Sequence, residues 1–203
     1  MQRPETRVSS ATQAAIPGSG PGATRFSNGV IGMLLFVFAE LLLYAGLITA
    51  HAAFLSDQVG QIWPPLDQPR LPLAETAVYT ALLLASGCAL VAGQVGFRGE
   101  PRRALIPLTV AILLGGLFVT FQAVAWAALF REGLTIRSSE YASFFYLIVG
   151  THAVQVAVAL ACLVWAWVRL RGTRLSASQF WSVQIYWYFL VLLWPVIYIE
   201  VYQ

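Results

Sequence analysis

Apolar positions in this chain fall into five long blocks, approximately residues 26–55, 73–97, 105–130, 141–168 and 180–201. Short segments that carry most of the charges separate them. Crossing the roughly 30 Å hydrocarbon core of a bilayer takes about 20 helical residues, so each block predicts one transmembrane helix. The punctuation agrees with this reading. Residues 56–72 hold Trp63 and four prolines, which predict an ordered extracytoplasmic loop. The second block opens after Pro72 with Glu75 and Thr76 in its first turn, a helix-start pattern. Pro101 sits in the next turn, and residues 169–178 form the fourth connection. The first 25 residues are rich in Ser, Thr, Ala, Gly and Pro and predict a disordered tail. That tail lacks the apolar stretch of a signal peptide. The expected fold is all-α: a tail over 1–25, then a polytopic bundle of five helices over 26–203.

The arginines orient the bundle. Arg3, Arg7, Arg25, Arg98, Arg102, Arg103, Arg169, Arg171 and Arg174 fall on one side, against Arg70, Arg131 and Arg137 on the other. By the excess of basic residues on cytoplasmic loops, the N-terminus is expected in the cytoplasm and the C-terminus outside. Composition supports a membrane protein, with 59% hydrophobic and only 10% charged residues. The net charge of +3 does not point to nucleic acid, because the arginines sit in short loops between apolar spans.

Within the spans, small residues predict close helix contacts. Ala81, Ala85, Ala89 and Gly93 recur every fourth residue in the second helix, with Ser86 and Gly87 beside them. Gly115 and Gly116 offer the same in the third, and Pro195 is expected to kink the fifth or free a carbonyl. Aromatic residues concentrate in the last span: Phe180, Trp181, Tyr186, Trp187, Tyr188, Trp194 and Tyr198. Part of that load reads as an interfacial belt.

Candidate chemistry is sparse. Glu40 is the one acid in the interior of the first span, where a carboxylate costs roughly 2.5–3.5 kcal/mol on insertion scales. Steps of four, four and three place Glu40, Tyr44, Ile48 and His51 on one helix face. This is either a proton-responsive carboxylate with a polar lining, or a neutral glutamic acid bonded to a neighbouring helix or a lipid headgroup. His152 and Gln155 share a face of the fourth span, and Gln122 lies in the third. His51 and His152 are the only histidines, whereas haem and copper sites need several imidazoles or thiolates. Cys88 and Cys162 lie inside spans and form no CxxC. No metal, cofactor-binding or catalytic residues are therefore expected in this chain.

Taken in order, the motifs resemble subunit III of the haem-copper terminal oxidases. Phe38-Ala39-Glu40-Leu41-Leu42-Leu43-Tyr44-Ala45-Gly46 resembles the family's Ser-Glu…Ala-Gly helix, and Trp63-Pro64-Pro65 its Trp-Pro-Pro loop. Leu83-Leu84-Ala85-Ser86-Gly87, with Thr76 before it, is similar to the next helix, and Leu114-Gly115-Gly116-Leu117-Phe118 with Gln122-Ala123 to the one after. Phe144-Phe145-Tyr146 with Gly150-Thr151-His152, then Tyr186-Trp187-Tyr188-Phe189 with Trp194, complete the series. The chain departs from the family pattern at Glu75, Ala125, Gln155, Tyr188 and Val191, where Asn, Glu, His, His and Asp are usual.

The resemblance implies the short five-helix bacterial form of the family, in the bacterial inner membrane. It implies a non-catalytic subunit that packs beside a catalytic subunit I, itself the bearer of haem and copper. Such a subunit binds phospholipids in a cleft and sustains proton uptake to the partner. Glu40 and His152 match positions associated with that cleft, Tyr44 and His51 line it, and Arg25, Arg98 and Arg103 are candidate contacts for lipid phosphates. Two alternatives stay open: a partner of a nitric oxide reductase, and a stand-alone transporter or proton-conducting protein using Glu40.

Overall fold

A computed structural model describes residues 27–58 and 69–202. The expected tail, Arg25 and the Trp63-Pro64-Pro65 loop lie outside the described residues. The described chain forms α1 (Asn28–Asp57), α2 (Leu73–Gly99), a 3-10 turn (Pro101–Ala104), α3 (Leu105–Arg131), α4 (Glu140–Arg171) and α5 (Ala177–Tyr202). Each helix coincides with one apolar block of the sequence and is long and apolar enough to span a membrane. The fold is a helical transmembrane bundle, as the hydropathy pattern predicts.

Local chemistry sets the helix ends. Ser139 caps α4 by accepting from the Ala142 amide at 3.0 Å. At the start of α5, Ser176 Oγ accepts from the Gln179 amide and Gln179 Oε1 accepts from the Ser176 amide, both at 3.2 Å. That reciprocal pair satisfies two amides which the first turn leaves without partners. α3 ends with Gly133 at φ +97°, its amide donating to the Phe130 carbonyl while Leu134 N donates to Leu129 O. α4 ends with the same two-bond cap, formed by Thr173 N to Leu170 O and Arg174 N to Arg169 O. Here the left-handed position, φ +55°, holds a β-branched residue and not glycine, and that backbone is strained.

The ends marked by Ser27, Phe97, Arg103, Arg171 and Phe180 gather on one side of the bundle, which carries most of the described arginines. Helices α2 to α5 form a four-helix group whose core includes Leu83, Leu108, Phe145, Leu163, Trp187 and Leu190, all fully buried. α2 packs most closely on α3, and α4 on α5. α1 lies at the edge, touching only α5 and α4 among the described helices, so most of its apolar side chains face outward.

With no water in a bilayer core, side-chain donors inside the bundle need protein partners. Three tryptophans act as crosslinks. Trp187 Nε1 donates to Ser86 Oγ (3.1 Å), and that hydroxyl donates to the Ala111 carbonyl (2.8 Å), joining α5, α2 and α3. Trp194 Nε1 donates to Thr80 Oγ1, and Trp167 Nε1 to Thr109 Oγ1, each at 2.8 Å.

Small residues permit these approaches, but not along the expected stripe. Ala81 and Ala85 face outward and Ala89 is half-buried. The buried face of α2 runs through Thr76, Leu83, Ser86, Gly87, Leu90 and Gly93. A Cβ at Gly87 would stand 3.0 Å from Val191, and one at Gly115 only 2.7 Å from the Trp187 ring. Gly116, its neighbour in sequence, has nothing within 4 Å. α5 continues through Pro195 to Tyr202.

Candidate functional site

Glu40 lies 12 residues from the start of α1 and 17 from its end, about 18 and 26 Å along the axis at 1.5 Å per residue. Its side chain is half-buried and turns toward α4. There Gln155 Nε2 donates to Glu40 Oε2, while Gln155 Oε1 accepts from the Tyr44 hydroxyl at 2.8 Å. One amide therefore holds two residues of α1, spaced one turn apart, against α4. Tyr44 is 1% exposed, so this amide satisfies a hydroxyl that has left solvent.

The expected face of α1 is the inward one: Tyr44 and His51 are buried, and Glu40 and Ile48 half-buried. Only Glu40 and Tyr44 enter the hydrogen-bonded cluster. His51 lies 11 residues beyond Glu40, about 16 Å along the axis, where its ring packs at 5.5 Å on Phe144 and its Nδ1 has no partner among the described residues. His152 is fully buried and stacks on Trp194 with ring centroids 5.0 Å apart, its edge toward Tyr44. Neither of its ring nitrogens has a hydrogen-bond partner among the described residues. The structure thus places it as an aromatic spacer behind Tyr44.

Gln122 belongs to a separate cluster. Its Nε2 donates to the Tyr202 hydroxyl at 2.7 Å, tying α3 to the end of α5. The residue also lines an apolar recess of about 80 Å³ with Phe118, Val119, Trp126, Ala153 and Val156. Of the arginines proposed as phosphate contacts, Arg98 lies 5.5 Å over the Trp181 ring. Arg103 pairs with Glu100 at 3.1 Å. Among the described residues no group of three or more His, Cys, Asp or Glu side chains converges.

The direction of the bonds limits what the central cluster can do. Tyr44 donates to Gln155, and Gln155 donates to Glu40, so all donors point toward the carboxylate. A neutral primary amide has two donor hydrogens and an accepting carbonyl, but no readily exchanged acid proton. Passing a proton from Tyr44 to Glu40 through Gln155 would demand the disfavoured imidic acid form. The arrangement ties α1 to α4, and the interposed amide gives no ready proton path from Tyr44 to Glu40.

Gln155 was visible in the sequence as a polar residue on the His152 face, but nothing there paired it with Glu40. The 115-residue separation left no local signal. The Ser86–Trp187 and Gln122–Tyr202 links were missed for the same reason.

Against known proteins, residues 18–203 match the model of the family described as cytochrome c oxidase subunit III. Similar curated relatives, each named cytochrome c oxidase subunit 3, include those of Pelomedusa subrufa (29% identical over 179 residues) and Gadus morhua (31% over 183 residues). The relative from Tetraodon nigroviridis is 30% identical over 179 residues. In each case the similarity covers 84% of this chain and 67% of the relative.

Proposed function

The chain belongs to the cytochrome c oxidase subunit III family, and from that premise we propose that it is a non-catalytic accessory subunit of a respiratory haem-copper oxidoreductase. The family match along residues 18–203 carries this reading. The partner, a catalytic subunit I, holds the haem and copper. The protein sits in a bacterial inner membrane with its arginine-rich end, including Arg98, Arg103 and Arg171, toward the cytoplasm.

In this role the Glu40–Gln155–Tyr44 cluster fixes the edge helix α1 on α4. Among the described residues α1 touches two other helices, so polar ties carry a larger share of its attachment. In a lipid environment such bonds average about 0.6 kcal/mol, with a maximum near 1.7 kcal/mol. Glu40 acts first as a structural acceptor. Proton delivery to the partner is a secondary role that the interposed amide disfavours, and the same amide argues against Glu40 as a carrier site in a stand-alone transporter.

Purification from native membranes tests the assignment: the chain is expected to travel with a haem-bearing partner, and consistent separation from one would reject it. Glu40→Gln tests the clamp, because glutamine keeps an acceptor for the Gln155 amide but has no titratable group. Assembly and the rate of turnover-dependent inactivation of the complex are expected to stay unchanged. Faster inactivation with intact assembly would move Glu40 to a proton-handling role.

A further inference from the structure

Two polar groups beside the Glu40 cluster stay open at a depth where a bilayer offers no water. Glu40 Oε2 is taken by the Gln155 amide, but Oε1 makes no hydrogen bond among the described residues. Nor does the Tyr186 hydroxyl, which lies within electrostatic reach of both Glu40 and Cys162. Neither oxygen is sealed inside the bundle. Toward the arginine-rich end, Val158, Ala161, Cys162, Trp165 and Val183 line an apolar groove of about 540 Å³ on α4 and α5. Its register leads to the open pair. Steps of three, four and three put Gln155, Val158, Cys162 and Trp165 on one stripe of α4, and Val183 lies one turn before Tyr186 on α5. Phe36 of α1 meets the Tyr186 ring edge-on, with centroids 5.3 Å apart.

We propose that this groove binds a neutral, lipophilic ring of the isoprenoid quinol class, one ring hydroxyl donating to Glu40 Oε1 and accepting from Tyr186. Depth selects the occupant. α1 has 30 residues, about 45 Å at 1.5 Å per residue, so about 7 Å at each end projects beyond a core of roughly 30 Å. Glu40, about 18 Å from the helix start, then lies about 11 Å inside the hydrocarbon. A phospholipid phosphate stays at the edge of that core, because carrying its charge inward is costly. A neutral ring can enter, and its hydroxyl supplies the partner that two open polar groups lack in hydrocarbon. The ring packs on Val158, Cys162 and Phe36, and its tail follows the groove toward Trp165, about 10 Å along α4 from Val158. The groove volume falls within the range of about 300–1,000 Å³ usual for small-molecule sites. Every group named belongs to this chain, so the binding is testable apart from any haem-bearing partner.

Native mass spectrometry of the full-length chain in mild detergent, kept anaerobic, provides the test, with decylubiquinol, decylubiquinone and decylbenzene as probes. Decylubiquinol is expected to bind at least fivefold tighter than decylubiquinone, which has no hydroxyl to donate to Glu40, and tighter still than decylbenzene. Tyr186→Phe keeps the contact with Phe36 and should weaken decylubiquinol about fivefold, as the loss of one hydrogen bond of about 1 kcal/mol implies. Glu40→Gln turns an amide donor toward the ligand, so it should narrow the preference for quinol over quinone, a change that a purely structural role would not produce. Val158→Trp adds bulk to the groove at a residue 52% exposed and should weaken both. Val164→Trp, in the separate recess between α3 and α4, should change neither. Equal binding of decylubiquinol and decylbenzene, or no loss with Tyr186→Phe, overturns the proposal. Displacement of decylubiquinol by equimolar phosphatidylglycerol also overturns it and leaves a groove for acyl chains.

Discussion

Replacing Gln155 by leucine removes both polar ties between α1 and α4 while keeping a side chain of similar length. Two interhelical hydrogen bonds are lost, together about 1.2 kcal/mol at the average measured in membrane proteins. The larger part comes from Tyr44. Its hydroxyl is 1% exposed and donates only to Gln155, and stranding a buried donor costs about 1–3 kcal/mol. Gln155→Leu should therefore destabilise the protein by about 2–3 kcal/mol. Tyr44→Phe alone should cost about 1 kcal/mol. The double variant should cost about 1 kcal/mol less than the sum, because no hydroxyl is left stranded. Glu40→Gln should cost under about 0.5 kcal/mol, since the amide donor of Gln155 keeps an acceptor. Unfolding in mixed micelles with rising dodecyl sulfate, followed by tryptophan fluorescence, measures all four. A Gln155→Leu effect below 0.5 kcal/mol, or strict additivity with Tyr44→Phe, would refute the clamp.

The same assay separates two adjacent glycines: Gly115→Ala should cost about 1–3 kcal/mol by overpacking against the fully buried Trp187, whereas Gly116→Ala, with open space around it, should be neutral or gain up to about 1 kcal/mol. Equal effects at the two positions would contradict the packing of α3 on α5. Thr173→Gly should relieve the left-handed strain of about 1–2 kcal/mol, offset partly by about 0.4–1 kcal/mol of added freedom in the unfolded chain. The net expectation is a small stabilisation, and a loss of stability would show that the threonine side chain holds the cap. His152→Phe keeps the stack on Trp194 and removes two unpartnered nitrogens, so it should cost under about 1.5 kcal/mol. A loss above 3 kcal/mol would mean that a polar partner holds this imidazole.

The sequence by itself determined the five helices, because spanning hydrocarbon is a local demand of length and apolarity that each segment meets alone. Local residues also set helix ends: Ser139 and the Ser176–Gln179 box mark the starts of α4 and α5, and Gly133 the stop of α3. The sequence singled out Glu40 and its one-face relation to Tyr44, which helical spacing fixes without reference to any other segment.

Only the tertiary structure decided which side of each helix turns inward. A lipid-embedded helix is apolar all round, so no contrast between faces marks the core as it does in a soluble bundle. That is why the alanines at 81 and 85 read as a packing stripe and instead face outward. It is also why Gly115 and Gly116 looked alike although one of them meets Trp187. For the same reason the sequence put His51 and His152 with Glu40 and left Gln155 only as a polar interior residue, whereas the packing of α1 on α4 brings Gln155 to Glu40 and Tyr44.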